Sequence, residues 1–228
     1  MKIAIVGTGY VGLVTGTCFA NAGNTVTCLD IDQEKLAKLR NAQSPFFEPG
    51  LSELMNRSIE ADRLVFTDNA EEAFDNVELI FICVGTPTSD AGDCDLSSVM
   101  AVADEIARCV KDRQEELPLI VVKSTVPVGT TEQVAKRISD KVGFNVSIAN
   151  NPEFLREGSA IDDFRKPDRV VCGVMDDLGR TVLSELYAPF VDHKQMLFFF
   201  DIRSSEMVKY ASNAMLACKI SFMNEIAS

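Results

Sequence analysis

The stretch KIAIVGTGYVG (residues 2–12), read together with TVTCLDID (25–32), decides the fold. The first run is short, apolar and β-branched, and it empties into Gly7-Thr8-Gly9-Tyr10-Val11-Gly12. Each glycine at that spacing has its own task. Gly7 permits a tight turn, Gly9 lets a pyrophosphate come against the backbone, and Gly12 lets the next helix pack closely on the strand. That helix, opening at Tyr10 and Val11, aims its N-terminal amides at the phosphates. The second run ends at Asp30, 18 residues beyond Gly12. A carboxylate there accepts hydrogen bonds from both ribose hydroxyls and repels a 2′-phosphate, so NAD is favoured over NADP. Asp32 is the other candidate; Asp30 is preferred because it directly follows the apolar run. Lys35 either reaches the adenosine side or is a solvated helix lysine. On the motif alone, FAD or no ligand at all stays open.

Working outward, LIFICVG (79–85), LIVVKST (119–125), VSIAN (146–150) and RVVCGV (169–174) are further short apolar runs bounded by turn residues. Such runs read as parallel strands buried on both faces. Between them, residues 96–112 carry Leu96, Val99, Ala103, Ile106 and Val110 at helical spacing, with Asp95 as the cap. The alternation predicts an α/β, Rossmann-type, doubly wound and mostly parallel sheet. Residues 204–228 contain neither Gly nor Pro and read as one long helix starting at a Ser cap, with no stop signal. The expected division is a NAD-binding domain over 1–200 and, over 201–228, the start of a second domain that is otherwise missing.

Composition removes several classes. The net charge of -12 argues against nucleic acid, which needs clustered Lys and Arg. No run approaches the roughly 20 apolar residues of a membrane span, and no signal peptide precedes the glycine motif. Seven dispersed cysteines without a CxxC suggest reduced thiols, a cytoplasmic location and no metal. The single histidine, His193, is expected to be structural or solvent-facing.

Three more segments end strands: CVGTPT (83–88), with Gly85 and Thr86; KSTVPVGTT (123–131), with Thr125; and NPEFLREG (151–158). Ligands bind at such ends in open α/β sheets, so the three can converge on one crevice. Together with GTGYVGL, SPFFEPGL (44–51), PDRVV (167–171) and KYASNAMLACKISFMNEIA (209–227), they make the chain resemble the UDP-glucose and GDP-mannose 6-dehydrogenases from residue 2 to residue 227.

The resemblance implies a definite chemistry: two successive oxidations at the sugar C6, two NAD per sugar, with a cysteine trapping the aldehyde and water releasing the uronate. Carried over by motif, Thr125 orients a water, Glu153 is an acid/base residue, and Glu157 lies near the nicotinamide. Lys209 stabilises charge on the C6 oxygen and Asn213 helps hold the water. Glu153, Phe154, Leu155, Lys209 and Asn213 contact substrate. UDP-glucose is the expected substrate; GDP-mannose, a UDP-N-acetylhexosamine, or a non-catalytic NAD-binding module are the alternatives. The β-hydroxyacid dehydrogenases also combine a Rossmann domain with a Lys- and Asn-bearing helix, but lack NPEFLREG. The nucleophilic cysteine of the resembled family sits in a glycine-rich loop not found here, so all seven cysteines are expected to be structural and the chain alone inactive. The long helix is expected to build a homodimer.

Replacing Asp30 by Ala should weaken NAD binding by about 1–2 kcal/mol, the scale of hydrogen bonds to a charged group. Calorimetric titration checks this, and equal affinity of the unmodified chain for NAD and NADP would sink the assignment.

Overall fold

The computed structural model describes residues 1–111, 113, 117–191 and 196–227. His193, Asp112 (the last residue of the expected 96–112 helix) and Ser228 lie outside them. Among the described residues the strands are β1 (Lys2–Val6), β2 (Thr25–Leu29), β3 (Leu64–Thr67), β4 (Leu79–Ile82), β5 (Leu119–Val122), β6 (Ile148–Asn150), β7 (Val170–Val174) and β8 (Leu197–Phe200). They form one sheet in the order β3-β2-β1-β4-β5-β6-β7-β8. The helices are α1 (Tyr10–Asn21), α2 (Gln33–Leu39), α3 (Leu51–Glu60), α4 (Ala70–Ala73), α5 (Ser97–Val110), α6 (Thr130–Val142), α7 (Ala160–Arg165), α8 (Asp177–Tyr187) and α9 (Ile202–Ala227).

The period of two in a strand sorts its side chains into two cores. Ile3, Ile5, Phe81 and Val121 join one with α1, α3, α7 and α8, whereas Ala4, Val6, Ile80 and Ile82 join the other with α4, α5 and α6. Covered on both faces, β4 and β5 are buried throughout, as their unbroken apolar runs predicted. Helix α1 is buried from Gly12 to Ala20 and so has no polar face for a pattern to reveal. The N-cap of α5 is Leu96 rather than the expected Asp95, which stands one residue earlier and accepts the Ser97 amide at 2.8 Å.

Three further features differ from the sequence reading. First, β7 is antiparallel to β6. The link between them stays at the carboxyl end of β6, building the 151–158 loop there, and the chain re-enters the sheet from that end. Second, the edge strands β3 and β8 escaped notice. Each is four residues long, and the three phenylalanines of β8 hide its alternation, in which Phe198 and Phe200 are exposed and stacked 6.5 Å apart. Third, α9 starts at Ile202, and its cap is Asp201 rather than a serine. The Asp201 carboxylate accepts the Ser204 amide at 2.9 Å and the Ser204 hydroxyl at 2.6 Å.

The reversal has a positional effect. Asn150 of β6 lies level with Gly173 of β7, and Gly173 with Phe200 of β8. Helix α9 therefore leaves the sheet beside the carboxyl end of β6. It buries Ile202, Ser205, Glu206 and Lys209, a single helical stripe, and past Tyr210 its surface is largely exposed, Met215, Phe222 and Ile226 included. No helix among the described residues is long and apolar enough to cross a membrane.

The base of α9 lies so close to β7 that a Cβ on Gly173 would fall 2.6 Å from Ser205 Cβ and 2.9 Å from Ile202 Cα. Gly173→Ala should cost about 1–3 kcal/mol, the usual penalty of overpacking. Denaturant unfolding measures it; a loss below about 0.5 kcal/mol would mean that α9 is not held against β7.

Candidate dinucleotide and substrate site

The three glycines of the first turn do three different things. Gly7 has φ +95°, and a Cβ there would meet the Cys83 carbonyl oxygen at 2.9 Å. A Cβ on Gly12 would run into the Gly7 carbonyl oxygen. On Gly9 a Cβ meets no protein atom within 4 Å and would only fill the open cleft. Helix α1 has no side-chain cap, so its first-turn amides at Tyr10 and Val11 have no local carboxylate or hydroxyl to serve them. Close approach at Gly9 and an open helix start fit a pyrophosphate.

Beside the turn lies a cavity of about 640 Å³, lined by Gly7, Gly9, Asp30, Lys35, Val84 and Gly85 among others. Asp30, at the end of β2, is buried. Its Oδ2 accepts the Thr8 amide at 2.8 Å, the Thr8 hydroxyl at 2.5 Å and Lys35 Nζ at 2.9 Å, and its Oδ1 accepts the Asp32 amide at 3.1 Å. Burial by itself raises this carboxyl, but the hydrogen bonds outweigh it and the pKa falls to about 2. Asp32 has a separate task, capping α2 through the Lys35 amide at 2.9 Å. Lys35 thus pairs with Asp30 at the cavity rim. Thr8, fully buried and orienting Asp30, was missed; it sits in plain view between the first two glycines.

The loops after β4 and β5 are stitched together. Ser124 Oγ donates to the Val84 carbonyl at 2.6 Å, and Thr86 Oγ1 donates to the Thr125 carbonyl at 2.8 Å. Thr125 itself is half-buried, and Gly85 is exposed toward the cavity.

A second cavity, of about 620 Å³, is lined by Lys123, Glu153, Phe154, Leu155, Lys166 and Arg169 among others. The 151–158 loop forms its wall. Glu153 Oε1 accepts Lys209 Nζ at 2.7 Å, and its Oε2 accepts the Leu155 amide at 2.8 Å, so α9 is tied to the loop. The Phe154 ring carries the Arg169 guanidinium 4.3 Å and Lys209 Nζ 5.3 Å from its centroid. Glu157 is exposed; its charge is one of those that push the nearby Tyr10 hydroxyl's pKa up, after burial and Glu48. Asn213 is exposed one turn beyond Lys209. The fold therefore joins Lys209 to Glu153, and Gly7, Gly9, Asp30, Lys35 and Gly85 around one cavity. It leaves Asn213 and Glu157 in the open.

Two polar residues at the strand ends had no assigned part. Lys123 is buried, donating to Asn151 Oδ1 at 2.9 Å, and burial pushes its pKa down. Asn151 Oδ1 also accepts the Tyr187 hydroxyl, while Asn151 Nδ2 donates to the Val171 carbonyl at 2.8 Å. This locks β5, β6 and β7 beneath the loop. The only sequence signal was a lysine closing an apolar run.

Residues 1–191 match the family described as the UDP-glucose/GDP-mannose dehydrogenase family, NAD binding domain, and residues 203–228 match its central domain. The UDP-glucose 6-dehydrogenase of Pseudomonas aeruginosa is 44% identical over 232 residues, covering 100% of this chain and 50% of that protein. The one from Rhizobium meliloti is 46% identical over 231 residues, covering 100% and 52%. Among solved structures, a UDP-glucose dehydrogenase from Pyrobaculum islandicum superimposes with a TM-score of 0.93 at 41% identity, covering 99% of this chain and 52% of that one. A GDP-mannose dehydrogenase from Pseudomonas aeruginosa gives 0.94 at 34%, with the same coverage. The chain spans about half the length of the curated relatives it matches.

A carboxyl held near pKa 2 in the fold, against 3.8 ordinarily, contributes stability above the ordinary value and loses it as pH falls through the folded one. Asp30 is then fully ionised between about pH 5 and about pH 9, and NAD affinity should be flat with respect to it over that range. Titrations with the wild type and Asp30→Asn check this. A loss of affinity near pH 4–5 that vanishes in the variant would show that the carboxyl is not depressed.

Proposed function

This chain belongs to the UDP-glucose/GDP-mannose dehydrogenase family, and on that premise we propose that the whole protein oxidises UDP-glucose at C6 to UDP-glucuronate, a four-electron reaction. Residues 1–200 bind NAD, and residues 201–228 open the central domain. The bound nicotinamide supplies the hydride acceptor. Gly7, Gly9, Gly12 and the amides of Tyr10 and Val11 hold the pyrophosphate; Asp30 and Lys35 hold the adenosine ribose; Gly85, Thr86, Thr125 and Glu157 line the nicotinamide side.

The observation that carries the reading is the contact of 2.7 Å between Lys209 and Glu153, made by two largely buried side chains at the end of β6. An ammonium there stabilises negative charge growing on a C6 oxygen, and the carboxylate beside it can take or return a proton. Phe154, Leu155 and Asn213 complete the substrate contacts, with Asn213 and Thr125 holding the water. Burial, the largest influence, pushes the thiols of Cys18, Cys83 and Cys172 up to about 12, so they stay protonated at neutral pH and make poor nucleophiles. This supports an aldehyde-trapping cysteine other than these three. The apolar, exposed length of α9 favours a second copy of the protein as its cover. A cytoplasmic site and a role in supplying uronate for polysaccharide synthesis complete the proposal.

GDP-mannose is the second reading, favoured by the fold match to the Pseudomonas aeruginosa GDP-mannose dehydrogenase at 34% identity; the UDP-glucose enzymes above reach 41–46%. Turnover of each nucleotide sugar by the whole protein, followed as NADH and by mass spectrometry of the product, separates them. We expect two NADH per UDP-glucuronate. Lys209→Ala should lower kcat by roughly 10²–10³-fold, the effect of removing one charge-stabilising donor, while NAD affinity holds. Faster turnover of GDP-mannose reassigns the substrate, and an unchanged kcat removes Lys209 from the chemistry.

A further inference from the structure

Glu48, in the SPFFEPGL segment, is a buried carboxylate that the chemistry above does not use. Its Oε1 accepts the Ala160 amide at 2.8 Å. Its Oε2 accepts the Gly158 amide at 2.8 Å and the Tyr10 hydroxyl at 2.9 Å. The same hydroxyl lies 2.9 Å from the Arg156 carbonyl oxygen. The Tyr10 ring packs on Phe46 of the Glu48 segment, with centroids 5.1 Å apart.

Both ends of this junction matter. Tyr10 is the first residue of α1, directly after Gly9, where the dinucleotide phosphates are to dock. Arg156 and Gly158 close the 151–158 loop, and Gly158 does so at φ +83°, a shape suited to glycine. One carboxylate thus touches the start of the cofactor helix and the end of the substrate-side loop, which lie more than 100 residues apart in sequence. A buried carboxylate served by two amides and one phenol depends on all its donors being in place together. A phosphate on the α1 amides fixes the first turn of α1, and with it the Tyr10 hydroxyl. The entropy of holding Glu48 and the loop amides is then already partly spent.

We propose that Glu48 is a positioning residue that, through Tyr10, makes filling of the dinucleotide turn tighten the 151–158 loop bearing Glu153 and Glu157. The proposal rests on NAD occupying that turn. By linkage the effect is reciprocal, so an occupied loop also favours the cofactor.

Amide hydrogen exchange read by NMR tests this on the 228-residue chain, with and without NAD. In the wild type, NAD should slow exchange at residues 7–12 and also, by about tenfold, at Gly158 and Ala160. Tyr10→Phe keeps the packing on Phe46 and both loop hydrogen bonds but cuts the tie. In it, residues 7–12 should still be protected by NAD, and Gly158 and Ala160 should no longer respond. Glu48→Ala, which removes both acceptor oxygens, should leave these two amides fast in both states. If Tyr10→Phe responds at 158 and 160 as the wild type does, the proposal is overturned. It is equally overturned if the wild type is protected at 7–12 alone. Absence of protection at 7–12 in the wild type would instead defeat the cofactor assignment itself, and the proposal with it, at residues distinct from those that test the tie.

Discussion

Glu206 decides where the long helix lies. The N-cap of helix α6 is Gly129, which has no side chain to cap it and a left-handed φ of +93°. Its first amides are met from far along the chain: Glu206 Oε2 accepts the Gly129 amide at 2.6 Å and Oε1 the Thr131 amide at 2.8 Å. The carboxylate is 1% exposed. Leaving a buried charge unmatched costs about 3–5 kcal/mol, so α9 has one register in which it fits. Ser205 reinforces that register by donating to Asn150 Oδ1 at 2.7 Å. One turn on, on the same face, Lys209 then meets Glu153.

A wider pattern follows. At the starts of α1, α6 and α7 the cap residue offers no side-chain partner to the first amides. At α6 the gap is closed by Glu206 and at α7 by Glu48, both carboxylates from distant sequence. At α1, whose cap is Gly9, no side-chain cap closes it among the described residues. The edge of the sheet where ligands bind is thus mostly sealed from within, and what stays open is the start that needs an anion. The sealing also ties each substrate-side loop to another element, which keeps Thr125, Glu153 and Lys209 on one frame.

The parts legible in sequence are those whose physics is local. The glycine turn, the acid at the end of β2 and the apolar central strands each depend on neighbours within a few residues or on a short period. Glu48 and Glu206 depend on partners 38 to 112 residues away, and nothing in their own surroundings separates them from solvated carboxylates. The reversal at β7 was hidden because an apolar run states burial and not direction. Resemblance named Lys209, Glu153 and Asn213 together, yet only the first two touch; a motif fixes identity and leaves distance to the fold. The cap of α9 is a different case. Asp201 stands three residues before Ser204, a readable signal within a run that is free of Gly and Pro from residue 190 onward.

The stripe that anchors α9 stops at Lys209, while the helix continues to Ala227. At 1.5 Å per residue the remainder reaches roughly 27 Å from its last buried side chain. Mechanically it is a lever whose fulcrum is the Lys209–Glu153 contact. Tilting it by about 10° at the fulcrum sweeps the far end through about 5 Å, more than the depth of a side-chain contact. Whatever grips the outer arm therefore has mechanical advantage over the distance between Lys209 and Glu153, and small adjustments there are read out as large displacements at the tip.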